Sequence, residues 1–589
     1  MNASRPMSVA HLLESQASAR PSDTALTGPG LPALAYGSLW TYVQGAVASL
    51  NALGVGAGDR VAILLPNGIA SAAAFFAVSA GASAAPLNPA YQAAELEFFL
   101  ADLEARALLL ADGQDSPARD VATALHIPVV ELSALVATAP TQPIFSDPSH
   151  EALVLHTSGT TSRPKLVPLT HANICTSAHN IVATLNLGPR DRCLNVMPLF
   201  HIHGLIGALL SSIAAGAGVV CTPGFDARHF FAWVDEFHPT WYTAVPTIHQ
   251  AVLAAAPADT STVARAALRF LRSSSAALPP RVMAELEALF RAPVIESYGM
   301  TEASHQMASN PLPPRARKPG SVGVAAGPEV AIMDERGAVL GAGRQGEIVI
   351  RGANVTRGYH HMPSANQQAF TNGWFRTGDQ GYLDDDGYLF LTGRLKEIIN
   401  RGGEKISPRE VDDILTEHPA VAQAITFALP HPSLGQDVAA AVVLRPNKEA
   451  TAAELRRFCA RRLAAFKVPN RFAFVDQIPK GPTGKPQRIG LAEKLGLLNE
   501  GSQTVKPAAP FVAPSTPLER DLAVIWCELL RLEQVGVHDE YSQIGGDSLL
   551  AAQLITRIEE RLQIDSALLA LGESSTIADM ARRIQAHIR

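Results

Sequence analysis

From about residue 40 to residue 300, short apolar runs alternate with Ala- and Leu-rich stretches of helical period. RVAILL (60–65) is followed by ASAAAFFAVSAG, and RALLLA (106–111), ALVLHT (152–157) and CLNVMPL (193–199) repeat the strand-like theme. Such alternation places strands beneath helices and predicts an α/β fold with a mostly parallel sheet. The chain has 589 residues, 47% of them hydrophobic and 17% charged, which is too long for one core and suits three or four domains. From Ile332 to Tyr359 the texture changes to short strands with glycine turns (GEIVIRG), predicting a smaller β-rich unit. Residues 397–500 read as a further α+β unit beginning at Gly402-Gly403. The stretch 501–517, GSQTVKPAAPFVAPSTP, has four prolines and no hydrophobic period, as a semi-extended linker does. A helical run, Leu518 to Leu532, opens the last domain. The expected boundaries are 1–395, 396–500, linker 501–517, and 518–589.

Charge narrows the partners. With 48 basic against 54 acidic residues the chain offers no basic field, and nucleic acid is not expected. The last domain, 518–589, holds 12 acidic and 7 basic residues and so carries nearly all of the net charge of -6. The five cysteines are scattered with no CxxC pair, which excludes a disulfide framework or a zinc ribbon and fits a reducing cytosol. The N-terminal MNASRPMSVAHLLESQ lacks a charged-then-apolar signal, and the weakly polar run Ile206 to Val220 is too short to span a bilayer. A cytoplasmic protein without membrane contact is the expectation.

The segment LHTSGTTSRPKLVPLTHANI (155–174) runs from a strand into Thr157, Ser158, Gly159, Thr160 and Thr161, with Lys165 close behind. Hydroxyls, backbone N–H groups and an ammonium on a glycine-permitted turn can wrap phosphate oxygens. The spacing does not match GxxxxGK[ST], so an ordinary P-loop is disfavoured, and a Ser/Thr-rich surface turn is the plain alternative. Three further segments, ESYGMTEASHQM (296–307), GWFRTGDQGYLDDDGYLFLTGRLKEIINRGGEKISPREVD (373–412) and PKGPTGKPQR (479–488), follow in order. Together the four resemble the adenylate-forming superfamily of acyl-CoA synthetases, luciferases and peptide-synthetase adenylation domains, over roughly residues 10 to 495. The order of the four removes the surface-turn alternative.

The resemblance implies a large multi-subdomain N-terminal part and a small mobile α+β part. It implies ATP and Mg²⁺ as cofactors. Thr157, Ser158, Gly159, Thr160, Thr161 and Lys165 would bind the phosphates. Tyr298 would pack on adenine, and Asp379 would accept both ribose hydroxyls with Arg394 beside it. Thr301 would contact the α-phosphate and Glu302 would hold the metal. Lys485 would bridge the α-phosphate and the substrate carboxylate, and Lys396 would be the hinge about which the small part exchanges Lys485 for the 402–405 loop.

Two features bear on what is activated and where it goes. Amino-acid-activating relatives carry an aspartate for the substrate ammonium, whereas MPLFHIHGL (197–205) places His201 there with no acid nearby. His201, His203, His305 and Ser275 are therefore expected to converge on a second carboxylate or other anion; the alternative is neutral structural histidines around an apolar pocket. The combined motifs resemble oxalyl-CoA synthetases, which implies a small acid, with a dicarboxylate such as oxalate as the example. In the last domain IGGDSLLAAQLITRIEER (544–561) sets Ser548 before an amphipathic stretch in which Leu549, Leu550, Leu554 and Ile558 share a face. GGDSL resembles the 4'-phosphopantetheine site of carrier proteins and implies a four-helix carrier domain, a phosphopantetheinyl transferase to load Ser548, and a downstream acyl-accepting enzyme. The reading is an adenylation–carrier didomain that loads a small carboxylic acid onto itself, as a loading unit of a nonribosomal-peptide-like pathway. A ligase releasing a soluble CoA thioester and a non-catalytic carrier scaffold are the alternatives.

Overall fold

The computed structural model describes residues 7–135, 142–157, 164–256, 263, 266–431, 434–479, 487–498, 511–530, 532–541, 544, 554, 557–558, 560–562 and 576–588. They divide into two compact units, Met1–Ala492 and Glu493–Arg589.

In the first unit the predicted alternation produces two large sheets. A nine-stranded sheet runs in parallel through Arg192–Asn195, Trp241–Ala244, Phe270–Ser273 and Val294–Met300, and a six-stranded sheet has Arg60–Ile63 parallel to both Ser83–Pro86 and Ala107–Leu110. Strands such as Arg60–Ile63, Ala107–Leu110 and Phe270–Ser273 are buried at every position, as strands covered on both faces must be. The helix Ile69–Gly81, buried continuously from Ser71 onward, lies inside the shared core. Beyond Met300 the chain reverses, and His305–Ser309 runs antiparallel to Val294–Met300. That reversal positions most of the site.

The β-rich unit expected from Ile332 to Tyr359 extends further than the glycine turns indicated. Glu329–Met333, Gly346–Arg351, Trp374–Leu383 and Leu389–Arg394 form one antiparallel sheet. Trp374–Leu383 alternates half-buried and buried residues over most of its length, so its polar composition concealed a strand with one face covered. The next sheet is drawn from residues 399–474 and has its own core, including Ile399, Ile406, Val411, Val438, Val442 and Leu455. Gly402 and Gly403, at φ +58° and +97°, turn the hairpin between Ile399–Arg401 and Glu404–Ile406. Two successive positive φ values are what a primed hairpin turn needs.

The second unit contains the helices Pro517–Leu530 and Ile577–Ile588, with Leu522, Ile525, Trp526, Leu554, Ile558 and Ile584 in its core. Leu554 and Ile558 are buried on a common face as their spacing predicted; Leu549 and Leu550 lie outside the described residues, as does 501–510 of the expected linker. Among the described residues no helix is long and apolar enough to cross a membrane.

Candidate active site

The Ser/Thr-rich loop joins two antiparallel strands, Glu151–His156 and Leu166–Thr170, and its ends are tied by Thr157 N–H donating to the Lys165 carbonyl (2.8 Å). A strand, not a helix N-terminus, follows the loop, which separates it physically from a Walker loop. Ser158, Gly159, Thr160 and Thr161 lie outside the described residues; Thr157 and Lys165 flank them. The Lys165 ammonium sits 4.2 Å from the centroid of the Tyr359 ring. Burial and the nearby Lys396 ammonium pull its pKa down, against the Glu302 carboxylate. The expected hinge lysine and the loop lysine thus share one electrostatic neighbourhood, and Lys396 itself is exposed on the short turn Leu395–Glu397.

Asp379 is buried on Trp374–Leu383, directly opposite Arg394 on the neighbouring strand. Arg394 Nε meets Asp379 Oδ1 at 2.8 Å, and the Tyr298 hydroxyl donates to Asp379 Oδ2 at 2.5 Å. Burial and the Asp379 charge hold Tyr298 well above the usual phenol range, so it remains a donor. Gly378, at φ +74°, and the bond from Asp379 N–H to Thr377 Oγ1 (3.1 Å) set the carboxylate's direction. Tyr298, Asp379 and Arg394, three residues singled out separately in the sequence, form one contact chain.

Thr301 and Glu302 lie in the short turn Thr301–Ala303, immediately after Val294–Met300. The Tyr359 hydroxyl donates to Glu302 Oε1 at 2.9 Å. Burial pushes the Glu302 carboxyl up, opposed by that hydrogen bond and by the charges of Arg394 and Lys165. A single buried hard-oxygen donor among cations is a suitable protein ligand for Mg²⁺, which takes most of its coordination from phosphates and water. Lys485 lies outside the described residues, but its flank does not. Arg488 bonds Glu397 (3.1 Å), Asp412 (2.5 Å) and the Thr426 carbonyl (2.8 Å), and Gln487 N–H donates to the Pro479 carbonyl at 3.3 Å. The chain on either side of 480–486 is therefore fixed beside the residue that follows Lys396.

Three of the residues expected to form an acid pocket meet beside the strand reversal. His203 Nδ1 is 3.1 Å from Ser275 Oγ, its Nε2 is 2.6 Å from Thr243 Oγ1, and its ring stacks on His305 at 5.0 Å between centroids. Three of the four predicted residues are thus joined by direct contacts. His201 lies just before them, half-buried, with its ring 4.7 Å from that of Phe200. Ser275, Ser304 and His305 have φ of 72°, 50° and 95°, a left-handed geometry that costs a non-glycine residue on the order of 1–3 kcal/mol. Strain concentrated around the pocket indicates that the surrounding structure is built to aim these side chains. Two glycines permit it: a Cβ on Gly299 would lie 1.7 Å from the His305 carbonyl oxygen, and one on Gly207 would lie 2.5 Å from His305 Nε2.

Sequence reasoning missed Arg272. It sits on the buried strand Phe270–Ser273, fully buried itself, donating from Nη1 to His305 Nε2 (2.9 Å) and from Nη2 to Gln306 Oε1 (3.1 Å). An arginine inside a four-residue core strand was the available signal. It also missed Tyr359, which links Glu302 to Lys165.

Two other ionisable clusters border the site. Glu296 is buried beside it, accepts from Leu278 N–H (3.0 Å), and is pushed by burial up to about 7, with Arg409 and Asp413 of the helix Pro408–Glu417 within electrostatic reach. Glu104, His360 and His361 offer ligand atoms within 4.8 Å of one another. Arg60 Nη2, however, donates to His360 Nδ1 at 3.2 Å, which leaves the proton on Nε2, the atom turned toward Glu104 at 3.6 Å. A protonated nitrogen cannot ligate a metal, so the arrangement of His360 does not suit a metal ion.

The AMP-binding enzyme family matches residues 13–360, its C-terminal domain matches 410–485, and the phosphopantetheine attachment site family matches 520–584. The chain is 44% identical to the oxalate–CoA ligase of Arabidopsis thaliana over 82% of its own length and 97% of that protein. It is 37% identical to the sulfoacetate–CoA ligase of Cupriavidus necator, over 78% of this chain and 92% of the relative. Among solved structures it is similar to ATP-bound MatB from Rhodopseudomonas palustris, with a TM-score of 0.76 and 28% identity, over 83% of this chain and 99% of that one. The chain belongs to the AMP-binding enzymes, as an AMP-forming acid–thiol ligase with a C-terminal phosphopantetheine-attachment region.

Proposed function

We propose that this enzyme activates a small carboxylic acid bearing a second polar or anionic group as its acyl-adenylate, and passes the acyl group to the thiol of its own carrier region. The observation that carries the substrate reading is the chain Thr243–His203–Ser275 stacked on His305, a cluster of polar side chains where a fatty acyl tail would need apolar lining. The names of two relatives, an oxalate ligase and a sulfoacetate ligase, agree with it, since both acids carry a second anionic group.

In the first half-reaction a carboxylate oxygen attacks the α-phosphorus of ATP, the bond to the β-phosphate breaks, and diphosphate leaves with the electron pair. Asp379, held by Arg394 and Tyr298, accepts the ribose hydroxyls; a carboxylate suits a vicinal diol because it only accepts. Lys165, Thr157 and the loop between them take the terminal phosphates. Thr301 and Lys485 act at the α-phosphate, where charge develops in the transition state. Glu302 would hold Mg²⁺, which would supply neutralisation of phosphate charge. Lys396 is the hinge whose movement withdraws Lys485. Ser548 carries the 4'-phosphopantetheine arm, installed by a phosphopantetheinyl transferase, and a short tether raises the effective concentration of its thiol. The chain then serves as a loading unit for a downstream acyl-accepting enzyme, and its place is the cytoplasm.

A second reading is favoured by one observation: the ligase part alone spans 97% of a relative named as a CoA ligase. Intact-mass measurement of the pantetheinylated protein with ATP and acid separates the two. An acyl mass increment lost in Ser548→Ala supports self-loading; free acyl-CoA made equally well by that variant would overturn it.

A further inference from the structure

Among the described residues, Arg272 is a guanidinium without a counter-ion. It is fully buried, its Nε has no hydrogen-bond partner, and among the described residues no carboxylate pairs with it. Its two partners, His305 Nε2 and Gln306 Oε1, are neutral acceptors. The Gln306 orientation is fixed from behind, because its Nε2 donates to Thr184 Oγ1 (3.0 Å) and to the Ala326 carbonyl (2.9 Å), leaving only the oxygen for Arg272. Burial lowers the arginine to about 10, still far above neutrality, so the charge persists. A buried, uncompensated charge is costly to keep. Glutamate in place of Gln306 would pair with the charge but lose the two hydrogen bonds that the amide nitrogen donates; an amide stands there instead.

Arginine only donates, so the bond to His305 Nε2 requires that nitrogen to be unprotonated. His305 is thereby the neutral Nδ1–H tautomer, and the positive charge of the pocket resides one ring behind it. The sequence suggested that histidines would receive an anion; the geometry assigns the charge to the arginine.

We propose that Arg272 is the positioning and charge-supplying residue of the acid pocket, acting through neutral His305 to select acids with a second anionic group, and that Gln306 leaves its charge uncancelled. This rests on the substrate reading above. The sulfonate and the second carboxylate of the relatives' named acids share the one property such a charge would read. With an imidazole ring between them, the guanidinium and the distal anion stand roughly 8 Å apart, and at an effective permittivity of about 20 that attraction is worth about 30-fold in affinity.

The test is ATP–pyrophosphate exchange by the full chain with oxalate, malonate, sulfoacetate and acetate. The wild type is compared with Gln306→Glu, Arg272→Met and Arg272→Lys, with melting temperature and KM for ATP measured alongside. Gln306→Glu places a carboxylate 3.1 Å from Arg272 Nη2 without removing volume. The expected result is a rise of about 10- to 100-fold in KM for the diacid that wild type uses best. Acetate turnover and KM for ATP stay near wild type, the melting temperature of Gln306→Glu falls by the two hydrogen bonds its Nε2 no longer donates, Arg272→Met raises the diacid KM in the same way, and Arg272→Lys partly recovers. An unchanged diacid KM in a folded Gln306→Glu chain overturns the proposal. So does a loss shared equally by diacids and acetate, or a wild type that prefers acetate. If Gln306→Glu does not fold, the Lys and Met pair decides, since retained charge must separate them. Absence of exchange with every acid would instead refute the adenylation reading on which the proposal stands.

Discussion

Adding one methyl group at Gly207 should disable acid recognition while leaving the nucleotide half of the site intact. Gly207 lies in the tightly buried helical segment His203–Leu210, where its missing side chain makes room for the stacked imidazoles. A Cβ there would stand 2.5 Å from His305 Nε2, 2.7 Å from His305 Cδ2 and 3.1 Å from His203 Cδ2. Ordinary contact is about 3.5–4.0 Å, so His305 must retreat by roughly 1 Å. That movement takes Nε2 away from its 2.9 Å bond to Arg272. Breaking a charge-assisted bond costs about 1.5–3 kcal/mol, and a 1 Å displacement of a positioning group can cost about 100-fold in rate. Gly207→Ala should therefore lower kcat/KM for the acid by about 100-fold, with KM for ATP within about twofold. The melting temperature should change little, because overpacking opposes the roughly 1 kcal/mol that alanine gains over glycine in a helix. The assay is diphosphate release at varied acid and saturating ATP. Wild-type kcat/KM for the acid in a folded Gly207→Ala chain would refute the assignment of His305 to the pocket.

Three other outcomes follow from the same geometry. Asp379→Asn removes the charge that pairs with Arg394 Nε and accepts the Tyr298 hydroxyl, and should raise KM for ATP by about 100-fold, from about 3 kcal/mol of lost hydrogen bonding, as read by ATP titration of the exchange rate. Tyr359→Phe deletes the donor that opposes the burial-raised Glu302 pKa; the carboxylate then forms only at higher pH, so the acid limb of the rate profile should move upward and more Mg²⁺ should be needed for half-maximal rate. Glu296, with its folded pKa raised to about 7, favours the folded state while protonated; this contribution is complete below about pH 4.5 and is lost as pH rises through 7. Glu296→Gln, which can still accept from Leu278 N–H, should raise the melting temperature at pH 8 by the equivalent of ~3 kcal/mol at most, and change it little at pH 4.5.

What was legible in the sequence depended on whether the signal was local. The parallel core could be read because each strand is a short continuous apolar run. The family resemblance implied Arg394 beside Asp379, and the two are register partners across a hairpin. The extent of the antiparallel sheet was not legible, because WFRTGDQGYL hides its buried face under polar residues that the site requires. Arg272 escaped notice because its meaning is spatial: only when Phe270–Ser273 lies near His305–Ser309 does one arginine acquire two neutral partners and no acid. Tyr359 was missed likewise, since it meets Glu302 across 57 residues. His305 lies against His203, but its protonation was not inferable without the donor behind it.

The central claim concerns chemistry at phosphorus and is best tested there. Purified full-length chain should be incubated with ATP, Mg²⁺, labelled diphosphate and, separately, oxalate, malonate, sulfoacetate, acetate, a long-chain fatty acid and several α-amino acids. The account predicts rapid return of label into ATP with at least one small diacid, and little with the fatty or amino acids. Label returned only by an amino acid or a fatty acid, or by none of the panel, would contradict it.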